Sequence, residues 1–177
     1  MSRKSSIKKI KRDNSVSKNI EGGLSLYLYE KSHSPITTHF TGYGLAECDV
    51  ISISKSNYIY EYEVKISKSD FKADFNKPKH KLMLERRCVK DRLIKENNEI
   101  VKDTLYLTPN YFNFVVTTGL VSVEDVPEYA GLIYCDENLN FEVIKKAPLI
   151  HKTKASYNFI RQLSHNLTCK LVFNKVK

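Results

Sequence analysis

Tryptophan is absent from this chain, and glycine and proline number only 6 and 5 in 177 residues, which excludes collagen-like and low-complexity architectures. Cys48, Cys88, Cys135 and Cys169 stand far apart with no Cys-x-x-Cys spacing, so neither a zinc ribbon nor a disulfide framework is indicated. Four reduced thiols in an intracellular setting are expected. No apolar run approaches the roughly 18 residues that span a bilayer, and a membrane partner is not expected. The charges at the N-terminus are followed only by Ile7, Ile10 and Val16, too few for the apolar core of a secretory signal. A glycine-rich phosphate loop is also missing, and no use of ATP is inferred.

Positive charge is plentiful. Lys and Arg number 29 against 20 Asp and Glu, a net +9, which favours a polyanionic partner such as DNA. Hydrophobic residues make up 41%, enough for one domain whose core hides roughly 70% of the unfolded surface. Residues 1–18 hold Arg3, Lys4, Lys8, Lys9, Lys11, Arg12 and Lys18 against Asp13 alone, with no sustained periodicity. They are expected to form a basic arm for DNA or for neighbouring subunits, leaving 19–177 as a single domain.

Gly22-Gly23 punctuates the chain, and Leu24 to Glu30 is apolar enough for helix or strand. Two β-rich runs between Leu45 and Ile66 flank Ser54, Lys55, Ser56 and Asn57 and predict a hairpin. Its second run puts Tyr60, Tyr62, Val64 and Ile66 on one face and Ile59, Glu61, Glu63 and Lys65 on the other, the first expected as core and the second as a charged surface. Ser67 and Ser69 are candidate caps for a helix with Asp70 in its first turn. Pro78 is expected to open another helix running to about Lys95, with Leu82, Cys88, Val89 and Leu93 inward. Strands are expected over Tyr111–Thr117, Gly131–Cys135 and Phe141–Ile144, then a helix from Ala155 to Leu167 carrying Phe159, Ile160, Leu163 and Leu167 on one stripe. The class is α/β or α+β.

A three-residue hairpin loop with Asn57 in the left-handed position pairs Ser54 with Tyr58. Stepping back, Asp49 falls opposite Glu63 and Glu47 opposite Lys65. Facing carboxylates repel unless a proton or cation lies between them. Hard oxygen donors suit Mg²⁺ or Mn²⁺, and an ammonium beside them suits charge building on a phosphate. Lys68, Lys72, Lys77, Lys79, Lys81, Arg86 and Arg87 follow, with Lys72, Lys79 and Arg86 seven apart, a spacing that predicts a helical stripe for a phosphate backbone. His33, His39, His151 and His165 show no ligand spacing, and His80 is expected to line or cap rather than transfer protons.

These residues resemble the PD-(D/E)XK nuclease superfamily, in particular its MmcB-like DNA-repair branch and related small bacteriophage proteins. AECDVISI and EYEVKISKSDFKADFNKPKHKL carry the likeness, with PEYAGLIY and KKAP further on, over about residues 45–150. The resemblance implies a central mixed sheet flanked by helices, a restriction-endonuclease-like core whose hairpin carries the site. It assigns Asp49 to the acidic residue of the second core strand, Glu63 and Lys65 to the Glu-x-Lys of the third, and Ser69-Asp70-Phe71, Asp74, Lys77 and Lys79-His80 to the helix signature that follows. Cys48 precedes Asp49 where many members carry another residue, and for the superfamily's additional acid Glu30 and Glu47 are the candidates.

The expected function is a divalent-metal-dependent DNA nuclease in the bacterial cytoplasm, with Asp49 and Glu63 holding Mg²⁺ or Mn²⁺ and Lys65 orienting water or stabilising charge. The alternative is a subunit of a phage particle, a connector or ring built on an inherited nuclease fold as a homo-oligomer or against other virion subunits.

Overall fold

A computed structural model describes residues 14–96 and 98–174. Most of the expected arm, residues 1–13, lies outside that range. Its end, from Asn14 to Lys18, is not an arm but the beginning of a helix, α1 (Asn14–Glu30). Ile20, Leu24 and Leu28 recur every four residues on its buried side. The glycine pair is therefore inside a helix rather than at a break: a Cβ on Gly23 would stand 3.3 Å from Leu139 and the Phe141 ring, so its lack of a side chain lets α1 lie close on the sheet.

Next come β1 (Ile36–Gly42), β2 (Leu45–Ile53), β3 (Ile59–Lys65), the short helices α2 (Lys68–Asp74) and α3 (Pro78–Leu84), and β4 (Val89–Glu96) with β5 (Glu99–Tyr106). The chain ends in β6 (Tyr111–Thr117), β7 (Ala130–Cys135), β8 (Phe141–Lys145) and α4 (Tyr157–Asn174). Six strands form one mixed sheet in the order β1-β2-β3-β6-β7-β8, with β3, β6 and β7 parallel and the outer neighbours antiparallel. Helices cover both faces, so the expected α/β class with a central mixed sheet holds. On one side α1 packs its stripe on Val50, Tyr62, Val64, Val115 and Ile133. On the other, Phe71 and Met83 of α2 and α3 meet Phe112, Phe114 and Leu132, while α4 lays Phe159 and Leu163 on Phe40, Ile51 and Ile59. The middle strand β6 is buried on both faces, which is why it reads as a nearly unbroken apolar run.

The β2–β3 hairpin turns as predicted. Asn57 has φ 62°, and Ser54 and Tyr58 are joined by a backbone bond of 3.0 Å. β4 and β5 correct the expected helix to Lys95. That helix stops at Leu84, because Arg86 takes a left-handed φ of 52° and the N–H groups of Arg86 and Arg87 bond back to Met83 and Leu82. This stop usually carries glycine, and arginine hid it. Beyond it, β4 and β5 pair as a separate two-stranded ribbon on which Val89 and Leu93 are exposed rather than buried.

Candidate active site

β3 is the third of six strands and its charged face is not a surface. Glu61, Glu63 and Lys65 are each under 5% exposed. The capping of α2 and α3 explains how so much charge is buried. Ser67 Oγ accepts the Asp70 N–H at 3.2 Å and starts α2, which turns Phe71 and Asp74 inward. Pro78 starts α3, which turns Lys79, His80 and Met83 inward. Acids from β3 and α2 therefore meet lysines from β3, from the α2–α3 junction and from α3.

Lys65 Nζ lies 2.7 Å from Glu63 Oε2 and 2.8 Å from Asp74 Oδ1. Lys77 Nζ reaches the same two oxygens, at 2.9 Å and 2.6 Å, yet its side chain is 42% exposed where that of Lys65 is 5% exposed. Lys79 Nζ stands 2.6 Å from Glu61 Oε1 and also bonds Glu63 Oε1. His80 contacts Asp74 Oδ2 through Nε2 at 2.7 Å and Tyr129 Oη through Nδ1 at 2.7 Å. Three carboxylates thus meet three ammonium groups in a buried wall, the arrangement under which burying charge is tolerable.

The expected pairing of Asp49 with Glu63 and of Glu47 with Lys65 lies beyond the last ladder pair, Val50 with Tyr62. Cys48 packs on the face of Ile51 and Ile53 while Val50 packs under α1, so β2 changes face at Asp49. Across from it, β1 carries His39 at φ 45°. Freed from regular alternation, Asp49 Oδ2 accepts the Val64 N–H at 2.7 Å. Its carboxyl is pushed above the ordinary value by burial and then by the charge of Glu63, against the pull of Lys65 and Val64. Glu63 moves the other way: burial alone would raise it, but Lys79 and Lys65 hold it low. Asp74 is held far below its ordinary range, where burial is outweighed by the His80 hydrogen bond and by Lys65 and Lys77. Glu61 is raised by burial despite Lys79. Neighbouring carboxyls driven apart in this manner are typical of acid–base and ion-binding sites.

A pocket of about 630 Å³ opens over the wall, lined by Asp49, Glu63, Lys65, Asp74 and Lys77 and, from α1, by Ser17, Lys18 and Glu21. Its volume is in the ordinary range for ligand clefts, roughly 300–1,000 Å³, and admits a sugar-phosphate. Glu21, 5% exposed, was not foreseen: it accepts from Ser17 Oγ at 3.0 Å and faces His39 Nε2 at 3.0 Å. Of the two acids offered as the additional one, Glu47 lines the pocket mouth and Glu30 does not line it. The Ile20–Leu24–Leu28 stripe could have revealed Glu21, which is the residue after its first member.

The basic residues divide. Lys77 lines the pocket, Lys79 is spent inside the wall, and Lys68, Lys72, Lys81 and Arg86 are exposed outside it. The predicted seven-residue stripe does not form, because Lys72 and Lys79 lie on different helices and Arg86 follows the end of α3. Among the described residues no three His, Cys, Asp or Glu side chains converge as a ready metal cage. The two acids fit a hard cation on one condition: Asp49 and Glu63 both line the pocket, but both Glu63 oxygens are engaged by Lys65, Lys77 and Lys79, so an ion there displaces a lysine, and Lys77, 42% exposed, is the one placed to leave.

No family model matches the chain, and no curated protein does. Among solved structures it is similar to the SPO1766 protein of unknown function from Silicibacter pomeroyi, with a TM-score of 0.54 and 18% identity over 86% of this chain and 83% of that one. At that identity the likeness is one of fold. No helix among the described residues is long and apolar enough to cross a membrane.

Proposed function

We propose that the pocket binds a phosphodiester of DNA and that the chain hydrolyses it as a divalent-metal-dependent nuclease of the PD-(D/E)XK type. The observation that carries this reading is the convergence of Asp49, Glu63 and Lys65 on one open pocket, with the two carboxyls pushed in opposite directions. Asp49 and Glu63 would hold Mg²⁺ or Mn²⁺, whose chemistry there is to polarise a phosphate oxygen and make water more acidic.

The chain's own groups do the rest. Lys65, fixed between Glu63 and Asp74, presents positive charge where the phosphate gains negative charge. Lys77 and Lys18 line the same pocket and take neighbouring phosphates. Water attacks phosphorus, the P–O ester bond breaks, and the departing oxygen takes up a proton. Exposed Lys68, Lys72, Lys81 and Arg86 extend the grip beyond the pocket without reading sequence.

The test is cleavage of duplex and single-stranded DNA by the purified chain with Mg²⁺ or Mn²⁺, with chelator as control. Asp49→Asn and Lys65→Ala should each abolish cleavage while the melting transition stays cooperative. Full activity in either variant overturns the site assignment, and no cleavage by the wild type in any metal overturns the nuclease. A closed ring in solution together with that failure would favour the connector subunit.

A further inference from the structure

The Lys65 ammonium sits at the end of a buried relay of hydrogen bonds and ion pairs that draws on four separate segments. Tyr129, just ahead of β7, meets His80 of α3; His80 meets Asp74 of α2; Asp74 meets Lys65 at the end of β3, with separations of 2.7, 2.7 and 2.8 Å. We infer that Asp74, held by His80 and Tyr129, is the positioning residue for the Lys65 ammonium. This rests on the role just given to Lys65.

The two links at Asp74 have a defined polarity. Asp74 is ionised and can only accept, so His80 Nε2 carries a hydrogen towards Oδ2. With Nε2 turned to Asp74, Nδ1 faces Tyr129 Oη at 2.7 Å. The His80 ring cannot turn freely, because Phe75, Phe112 and Phe114 surround it at centroid distances of 5.3, 5.5 and 6.0 Å. Once Oδ2 is committed to His80, Oδ1 is left aimed at the pocket side, where Lys65 takes it.

A four-carbon stem lets a lysine ammonium wander, and Glu63 alone would tether it at one point only. With Asp74 it is held between two oxygens from different elements. Lys77 reaches the same two oxygens but is 42% exposed, so it can leave for a phosphate while Lys65 stays. A relay that served stability alone could be replaced by apolar side chains at little cost. This one ends on residues that line the pocket.

The test pairs lysine-ammonium NMR with cleavage kinetics on His80→Leu, His80→Gln and Tyr129→Phe. The wild type should show slowly exchanging ammonium signals for Lys65 and Lys79. His80→Leu should lose the Lys65 signal and keep that of Lys79, while kcat falls by up to about 100-fold at unchanged KM. His80→Gln, which returns a donor to Asp74 Oδ2, should recover the signal and most of the rate. An intact Lys65 signal and unchanged kcat in His80→Leu overturn the inference. If the wild type cleaves no DNA, the nuclease reading falls and the NMR arm still decides the positioning. If His80→Leu does not fold, Tyr129→Phe carries the comparison: a Lys65 signal lost or broadened beside an intact Lys79 signal supports the relay, and an unchanged spectrum overturns it.

Discussion

Lys65 in β3 is 4% exposed and Leu93 in the β4–β5 ribbon is 74% exposed, the reverse of what their chemistry suggests in isolation. Both sit in strands that alternate between two faces. The difference lies in what surrounds the strand. β3 has β2 on one side, β6 on the other and helices over both faces, so even its charged side must be buried and can be buried only against counter-charges. The ribbon has only its own two strands to pair, and its outer face, with Leu93 and Ile100, meets solvent. Alternation says which residues share a face, while wet and dry are decided by neighbours distant in sequence. Glu61 finds its partner 18 residues away, at Lys79.

The largest expected effect follows from breaking that partnership. Lys79→Met leaves the Glu61 carboxylate in a site where it is 1% exposed, and losing one half of a buried pair costs about 3–5 kcal/mol. Lys79→Met combined with Glu61→Leu should recover most of this loss, because Glu63 keeps Lys65 and Lys77. Urea unfolding of the single and double variants checks both statements. A single variant within 1 kcal/mol of wild type, on the order of a surface change, would mean that the wall is not a buried ionic unit.

A second effect is in the pH dependence. Asp74 and Glu63 have ordinary values of 3.8 and 4.5, and both are held lower in the folded chain. The stability they contribute is complete above those values and is lost as the pH falls through them, from about pH 5 downward. Asp49 and Glu61 are raised, so their protonation at falling pH favours the folded state and shallows the slope. Urea midpoints should fall between about pH 5 and pH 3 in the wild type. Asp74→Asn should start less stable and show a flatter profile; an unchanged slope would remove Asp74 from the wall's ionised set.

How much of this was legible follows the same line. The hairpin register as far as Val50 with Tyr62, the turn at Asn57, the cap at Ser67 and strands β6, β7 and β8 are local or strongly patterned, and they stand as predicted, while the pairs expected beyond Val50 do not form. Strand spacing and the resemblance both single out Asp49, Glu63 and Lys65, and the three line one pocket. What escaped depends on packing. Glu21 hid in a helix that two glycines masked, Lys79 looked like a phosphate contact because its acid partners lie on another element, and β4 looked helical because Arg86 takes a conformation that glycine usually marks. β1 carries too weak a pattern to be seen before β2 supplies its partner.

The smallest effects should lie in the ribbon, and they sharpen the contrast by their size. Its inner face is anchored: the Arg92 guanidinium lies 4.0 Å over the Tyr43 ring and 2.8 Å from Asp103, which is 6% exposed. Arg92→Ala should therefore cost about 1 kcal/mol, the usual worth of such a contact. On the outer face Lys102 and Asp91 pair at 2.7 Å with both side chains 68% exposed, and screening leaves such a pair little value. Leu93→Ser and Lys102→Met should each shift stability by less than about 0.5 kcal/mol, since solvent already covers both positions. Urea unfolding at two protein concentrations checks this. A Leu93→Ser loss that reached the Arg92→Ala value and grew with concentration would mean that a second copy covers that face, and the ribbon would then be buried as β3 is.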